Sequence, residues 1–279
     1  MKEITETELL ECARTAAEAA GRHAAENRSR RTETTRRVRN DVKLVLDVEC
    51  QRVAEAIIHG AFPDHAILGE EGERPRAGAD YEWIVDPIDG TVNFSHGLPV
   101  WCSSVAVRRG PEVMAGAVFA PDLGDLYTAT RGGPALRNGE PIRVSDIADP
   151  AEAVMATGLA AKTGDRITSY GVFRALTLQL QRVRIMGASA VDICHVAAGR
   201  IEGYVETSIY LWDVAAAGLI ARRAGGRTEI LEELGGHRMR FLATNGHIHD
   251  AVRAVIVETL ARRRMRRPRR AAEPRRITP

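Results

Sequence analysis

Cysteine is scarce in these 279 residues: Cys12, Cys50, Cys102 and Cys194 lie far apart, form no CxxC pair, and each sits in an apolar helix-like or strand-like run. That spread excludes a disulfide framework and reads as reduced, buried small hydrophobes. Long apolar runs are also missing. Stretches such as Val113–Pro121 and Val214–Ile220 fall well short of the roughly 20 residues that span a bilayer, so no transmembrane helix and no membrane partner are expected. The start, Met1-Lys2-Glu3-Ile4-Thr5-Glu6, lacks the basic-then-apolar order of a secretory signal, which predicts a cytoplasmic protein. Internal repeats are absent, and no serine or cysteine stands in a nucleophile motif.

What is present is an ordinary core composition, 44% hydrophobic, with a formal charge of +2. That charge hides an asymmetry. Residues 262–276 hold nine arginines against one glutamate, and without them the chain would stand near −6. Pro268, Pro274 and the scarcity of apolar residues predict a disordered tail over 263–279, either a solvated end or a polyanion or RNA contact. It has no interleaved aromatics on which bases could stack.

Ile4, Leu9, Leu10, Ala13, Ala16, Ala17, Ala20 and Ala24 recur at helical spacing, which predicts one long amphipathic helix over the first 35 residues, followed by a second at Val45–His59. Strand-like runs follow at Trp83–Val85, Ser103–Arg108, Ala115–Ala120 and Leu126–Ala129. Beyond residue 142 the pattern changes. Short strands at Ala153–Thr157, Val183–Ile185, Gly203–Glu206 and Thr228–Ile230 alternate with helices at Ile167–Gln181, Ser189–Gly199, Val214–Ala224 and Ile248–Arg264. The expected organisation is an α+β domain at 1–142 and an α/β domain at 143–262.

Chemistry concentrates in Glu82-Trp83-Ile84-Val85-Asp86-Pro87-Ile88-Asp89-Gly90-Thr91, a short buried-looking strand running into two aspartates. Proline between them favours a turn that could aim both carboxylates and the Ile88 carbonyl at one hard cation. Glycine beyond them allows close backbone approach, and amides at a helix start can receive phosphate. A plain Asx turn is the equal alternative. Glu70 in Leu68-Gly69-Glu70-Glu71-Gly72 is a further candidate ligand, whereas Glu71 reads as a surface acid. Asp213 stands before an apolar helix, where an N-cap is the competing role, and Asp47 lies among aliphatics near a helix start.

Together these residues resemble the inositol monophosphatase family, marked by Gly-Glu-Glu, Asp-Pro-Ile/Leu-Asp-Gly-Thr and Trp-Asp before an Ala/Gly-rich helix. The likeness extends through Leu126-Tyr127-Thr128-Ala129, Asn138-Gly139, Val144-Ser145 and Gly187–Gly199, so it spans roughly residues 5–262. It implies a layered αβαβα sandwich of the inositol monophosphatase and fructose-1,6-bisphosphatase type. By the same resemblance Glu70, Asp86, the Ile88 carbonyl, Asp89 and Asp213 bind two or three Mg²⁺ ions. Asp47 and Thr91 would pair to deprotonate the attacking water, which reaches phosphorus in line with no phosphoenzyme. Asp89, Gly90, Thr91, Ala188, Ser189 and Glu206 would contact substrate, and a homodimer is expected.

Thr91-Val92-Asn93-Phe94 resembles the inositol and sugar phosphatase branch rather than relatives acting on adenosine bisphosphates or histidinol phosphate. Glu206, seven residues before Asp213, matches the acid that accepts hydrogen bonds from inositol hydroxyls. One departure stands out: Gly187-Ala188-Ser189-Ala190 replaces the more usual Gly-Ser/Thr-Ala-Ala, moving the hydroxyl by one position. A phosphorylated polyol or sugar is therefore the expected substrate, with fructose 1,6-bisphosphate and histidinol phosphate as alternatives. An RNA- or polyanion-binding regulatory role for the tail is the non-enzymatic one.

Overall fold

The structure, a computed structural model, describes residues 4–38, 41–159 and 163–266; the arginine-rich stretch from 267 onward lies outside them. Helix α1 (Glu6–Glu26) starts at a reciprocal cap, in which the Thr5 hydroxyl accepts the Glu8 amide and the Glu8 carboxylate accepts the Thr5 amide. Its stripe of Leu9, Ala13, Ala16, Ala17, Ala20 and Ala24 is buried. The helix ends at Glu26 and not near residue 35, because the polar, β-branched stretch after Asn27 has no apolar face to bury. That stretch forms a hairpin of β1 (Thr34–Val38) and β2 (Asp41–Leu44).

Then follow α2 (Val45–Ala61), β3 (Ala66–Gly69), β4 (Gly72–Arg74), β5 (Tyr81–Asp89), α3 (Thr91–His96), β6 (Cys102–Arg109), β7 (Glu112–Ala120), β8 (Asp125–Thr130), β9 (Leu136–Arg137) and β10 (Glu140–Pro141). These strands build a sheet in the order β10-β9-β8-β7-β6-β5-β3-β4, antiparallel except where β3 meets β5. The remainder comprises β11 (Val154–Thr157), α4 (Thr163–Thr177), β12 (Arg182–Arg184), α5 (Ser189–Ala197), β13 (Gly203–Tyr210), α6 (Leu211–Arg223), β14 (Arg227–Gly235), β15 (Arg238–Thr244) and α7 (His249–Arg266). Its sheet runs β12-β11-β13-β15-β14, with β11 parallel to both neighbours. Strand β15 was not expected, although Gly236-His237, both at positive φ, form the two-residue reversal that pairs it with β14.

Helices α1 and α2 cover the outer face of the first sheet around Trp83, Val105 and Ala117. Between the two sheets lie α5 and α6, and α4 and α7 cover the far face of the second around Met155, Leu176 and Leu242. The result is the layered αβαβα sandwich. Small residues make the middle layer thin: a Cβ on Gly116 of β7 would stand 2.9 Å from Ala216 Cα, so α6 lies directly on the sheet. This close approach carries Asp213 toward the end of β5. Among the described residues no helix is long and apolar enough to cross a membrane, and all four cysteines are free and buried.

Candidate active site

Residues three apart on a regular strand face opposite sides, yet Asp86 and Asp89 converge. The cause is a bulge. Asp86 pairs with Ser104 and Asp89 with Cys102, so three steps on β5 match two on β6. Pro87, which has no amide to donate, sits in the extra length, and the Ser103 hydroxyl donates to its carbonyl at 2.6 Å. The expected turn is thus a bulged strand end that turns both acids to one side.

Asp213 arrives from the first turn of α6, where one oxygen accepts the Tyr210 amide at 2.9 Å. One oxygen from each of Asp86, Asp89 and Asp213 lies within 4.8 Å of the others. Asp89 also accepts the amides of Ser189 (3.1 Å) and Ala190 (2.7 Å) at the start of α5, tying the two sheets' layers together at the site. Oδ1 of Asp86 is buried without a hydrogen-bond partner.

Burial and mutual repulsion disfavour charge throughout this cluster. Burial, reinforced by Glu70 and Asp89, pushes the Asp86 carboxyl well above the ordinary range; burial, then Asp89 and Glu70, does the same to Asp213. Asp89 rises to about 6 through burial, held back by its amide donors. Asp47 rises to about 8, again through burial, with the Leu44 amide opposing and Glu70 and Glu71 adding repulsion. Buried acids this close are stable as carboxylates only beside a cation, and the orphaned Asp86 oxygen is the kind of donor such an ion takes.

Glu70 is half-buried at the end of β3, its amide donating to the Val85 carbonyl at 3.1 Å, and its charge acts on Asp47, Asp86 and Asp213. Glu71, expected as a surface acid, instead has a largely buried side chain, because it accepts Lys43 Nζ at 2.9 Å while its amide donates to Gln51. Asp47 accepts the Leu44 amide at 2.6 Å, while its Oδ1 is buried without a partner. The Thr91 hydroxyl donates to the Ile88 carbonyl at 3.0 Å and not to Asp47. Gly90, at φ +89°, opens α3; a Cβ there would meet Ala188 Cβ and the Val100 carbonyl oxygen, each at 3.0 Å.

Ala188 is buried and Ser189 half-buried at the start of α5. Glu206 projects from β13, its carboxyl pushed up to about 7 by burial and pulled back by the Tyr204 hydroxyl. Sequence reasoning missed Tyr204, although Tyr204 and Glu206 share one strand face by simple alternation. It also missed Asp192, a buried carboxylate in α5 whose Oδ1 lacks a partner. Asn93 bridges α3 to the segment before α5, donating to the Val100 (2.7 Å) and Met186 (2.8 Å) carbonyls. Nothing in local sequence could reveal partners that distant.

Residues 5–263 match the model of the inositol monophosphatase family. A Nus factor SuhB from Pasteurella multocida is 35% identical over 256 residues, covering 90% of this chain and 94% of its own. The fructose-1,6-bisphosphatase/inositol-1-monophosphatase of Thermotoga maritima is 37% identical over 223 residues, 79% of this chain and 84% of its own. Among solved structures, inositol monophosphatase from Anabaena superposes with a TM-score of 0.79 at 32% identity, covering 90% of this chain and 96% of that one. With its bulged Asp-Pro-Ile-Asp strand, its Trp-Asp helix start and this match over nearly its whole length, the chain belongs to the inositol monophosphatase family.

Proposed function

We propose that the protein is a Mg²⁺-dependent phosphomonoesterase that hydrolyses inositol monophosphate or a related sugar phosphate. The observation carrying this reading is the buried Asp86 oxygen that has no protein partner, inside a trio of carboxylates drawn together by a strand bulge and a helix start. Two or three Mg²⁺ ions held by Glu70, Asp86, the Ile88 carbonyl, Asp89 and Asp213 would offset their charge and supply Lewis acidity toward phosphate.

The chain's own groups divide the remaining work. Asp47 keeps one oxygen for the Leu44 amide and one free to accept a proton from the attacking water, and burial makes it a better base than an ordinary carboxylate. In this reading the Thr91 hydroxyl turns from the Ile88 carbonyl to share that water, and the Gly90 and Thr91 amides hold phosphate oxygens. Asp89, Ala188, Ser189 and Glu206 line the sugar side. The protein acts as a homodimer, a state that would cover exposed Ile167 and Tyr170 on α4 with Leu178 and Ile185 beyond it. Light scattering tests it.

Phosphate release from inositol 1-phosphate, fructose 1,6-bisphosphate, histidinol phosphate and adenosine 3′,5′-bisphosphate, each with Mg²⁺ and with chelator, is the direct assay. Mg²⁺-dependent turnover favouring the first two is expected. No turnover of any of them overturns the reading. A second reading, regulatory contact with RNA or another polyanion through residues 263–279, draws on the relatives named Nus factor SuhB and on the eight arginines in that stretch. Truncation after residue 262 should then abolish RNA retention that weakens steeply with salt; retention unaffected by truncation removes the tail from that role.

A further inference from the structure

Glu70 and Glu71 form the two-residue reversal between β3 and β4, where Gly69 pairs with Gly72. Neither glutamate takes a positive φ, so the reversal lacks the geometry that matches the twist of paired strands. It is held from outside instead. The buried Gln51 side chain of α2 accepts the Glu71 amide at 2.8 Å and donates to the Gly72 carbonyl at 3.1 Å, serving the turn as a neighbouring strand would. The fit is close: a Cβ on Gly69 would stand 2.4 Å from the Gln51 carboxamide oxygen.

The two glutamates then part. The Glu70 charge acts on Asp47, Asp86 and Asp213. Glu71 also acts on Asp47, yet its carboxylate is drawn to Lys43 Nζ at 2.9 Å, with 7% of the side chain exposed. Lys43 stands one residue before the α2 cap at Leu44, and Gln51 follows Asp47 by about one turn. One short stretch, residues 43–51, therefore carries the proposed base and both residues that hold the Glu70–Glu71 turn. A largely buried carboxylate beside other acids needs a cation, and for Glu71 the chain supplies its own.

We propose that Lys43 is a positioning residue of the metal centre: by holding Glu71 it reserves Glu70, of the two adjacent glutamates, for Mg²⁺ and so limits the number of acids the ions meet. This deepens the phosphatase reading and rests on it. Without the ammonium, Glu71 is an uncompensated carboxylate one residue from Glu70, and a divalent ion is what neutralises it. Loss of Lys43 therefore raises affinity for metal, whereas loss of a merely structural contact would loosen the site and lower it.

Calorimetric Mg²⁺ titration of the full-length protein, with melts in chelator and turnover of inositol 1-phosphate, tests this. Lys43→Met should tighten Mg²⁺ binding about tenfold. Its kcat at saturating Mg²⁺ should fall, since an ion met by an extra carboxylate polarises water and phosphate less. Lys43→Arg keeps the charge and should stay within about twofold of the parent in affinity. Glu71→Gln alone leaves the ammonium without its acid and should weaken Mg²⁺ about tenfold; added to Lys43→Met, it should return affinity toward the parent value. Affinity unchanged or weakened in Lys43→Met, or a double variant no nearer the parent than Lys43→Met, overturns the role of Lys43 while the phosphatase reading stands. If Lys43→Met does not fold, Glu71→Gln decides, and unchanged affinity there overturns the proposal. Absence of both Mg²⁺ binding and turnover in the unchanged protein overturns both readings.

Discussion

Without metal, the acid cluster should make this protein less stable as pH rises, and Mg²⁺ should reverse the trend. Asp47 in the folded chain holds its proton up to about 8 against an ordinary 3.8, and Asp89 holds its proton up to about 6. Between the two values for each group the folded state binds a proton that the unfolded state has released, so stability is fully present at low pH and is lost as pH rises to the folded value. At about 1.4 kcal/mol per pH unit, Asp47 costs about 4 kcal/mol between pH 5 and 8, and Asp89 adds about 1 kcal/mol up to pH 6. For a chain of this size that is a fall in Tm of roughly 10 °C. Thermal melts at pH 5, 6.5 and 8 in chelator and in Mg²⁺ measure it. Metal competes with the same protons, so the Mg²⁺ rescue should grow from pH 5 to 8. A metal-free Tm that is flat or rises over that range, or a rescue independent of pH, refutes the reasoning. Asp47→Asn supplies an internal control: it should remove its own share of the metal-free slope, with Asp86, Asp89, Glu206 and Asp213 keeping the rest, and abolish turnover.

Asp213→Asn keeps an oxygen for the Tyr210 amide but loses its charge, so Mg²⁺-dependent stabilisation should vanish while the metal-free Tm holds or rises; Asp213→Ala should also lose about 1 kcal/mol of capping, as melts of the two variants side by side would reveal. Gly116→Val should destabilise by about 1–3 kcal/mol and weaken Mg²⁺ affinity in calorimetric titration, since its side chain would push α6, and with it Asp213, off the sheet. Gly90→Ala combines a positive φ with two 3.0 Å contacts and should cost about 1–3 kcal/mol together with a fall in kcat, both read from one purified preparation.

Much of the fold was legible because its signals are local. The alanine stripe of α1, the Asp213 helix and the apolar strands announce themselves by period. What failed was where local signals stop or cross. The hairpin after α1 replaced an extended helix because the stripe had run out. β15 was overlooked although Arg238-Met239-Arg240-Phe241 alternates and a double glycine precedes it. Asn93 and Phe94, useful as a family mark, turn out to face inward: Asn93 bridges two carbonyls, and Phe94 meets Trp101 edge-on at 4.8 Å.

The N-cap posed for Asp213 does not exclude the proposed ligand role, and Asp47 caps its helix in the same way. A carboxylate has two oxygens. At Asp47 and Asp213 a strand runs directly into a helix, and in each case an aspartate in the first turn returns one oxygen to the amide three residues back, at 2.6 Å from Leu44 and 2.9 Å from Tyr210. That bond fixes the side chain, and so fixes where the second oxygen points. Capping is therefore how these acids are aimed, as the bulge is how Asp86 and Asp89 are aimed. An alanine at either helix start would lose the cap and the site together, whereas an asparagine separates them, and for that reason neither role could be read from helix periodicity alone.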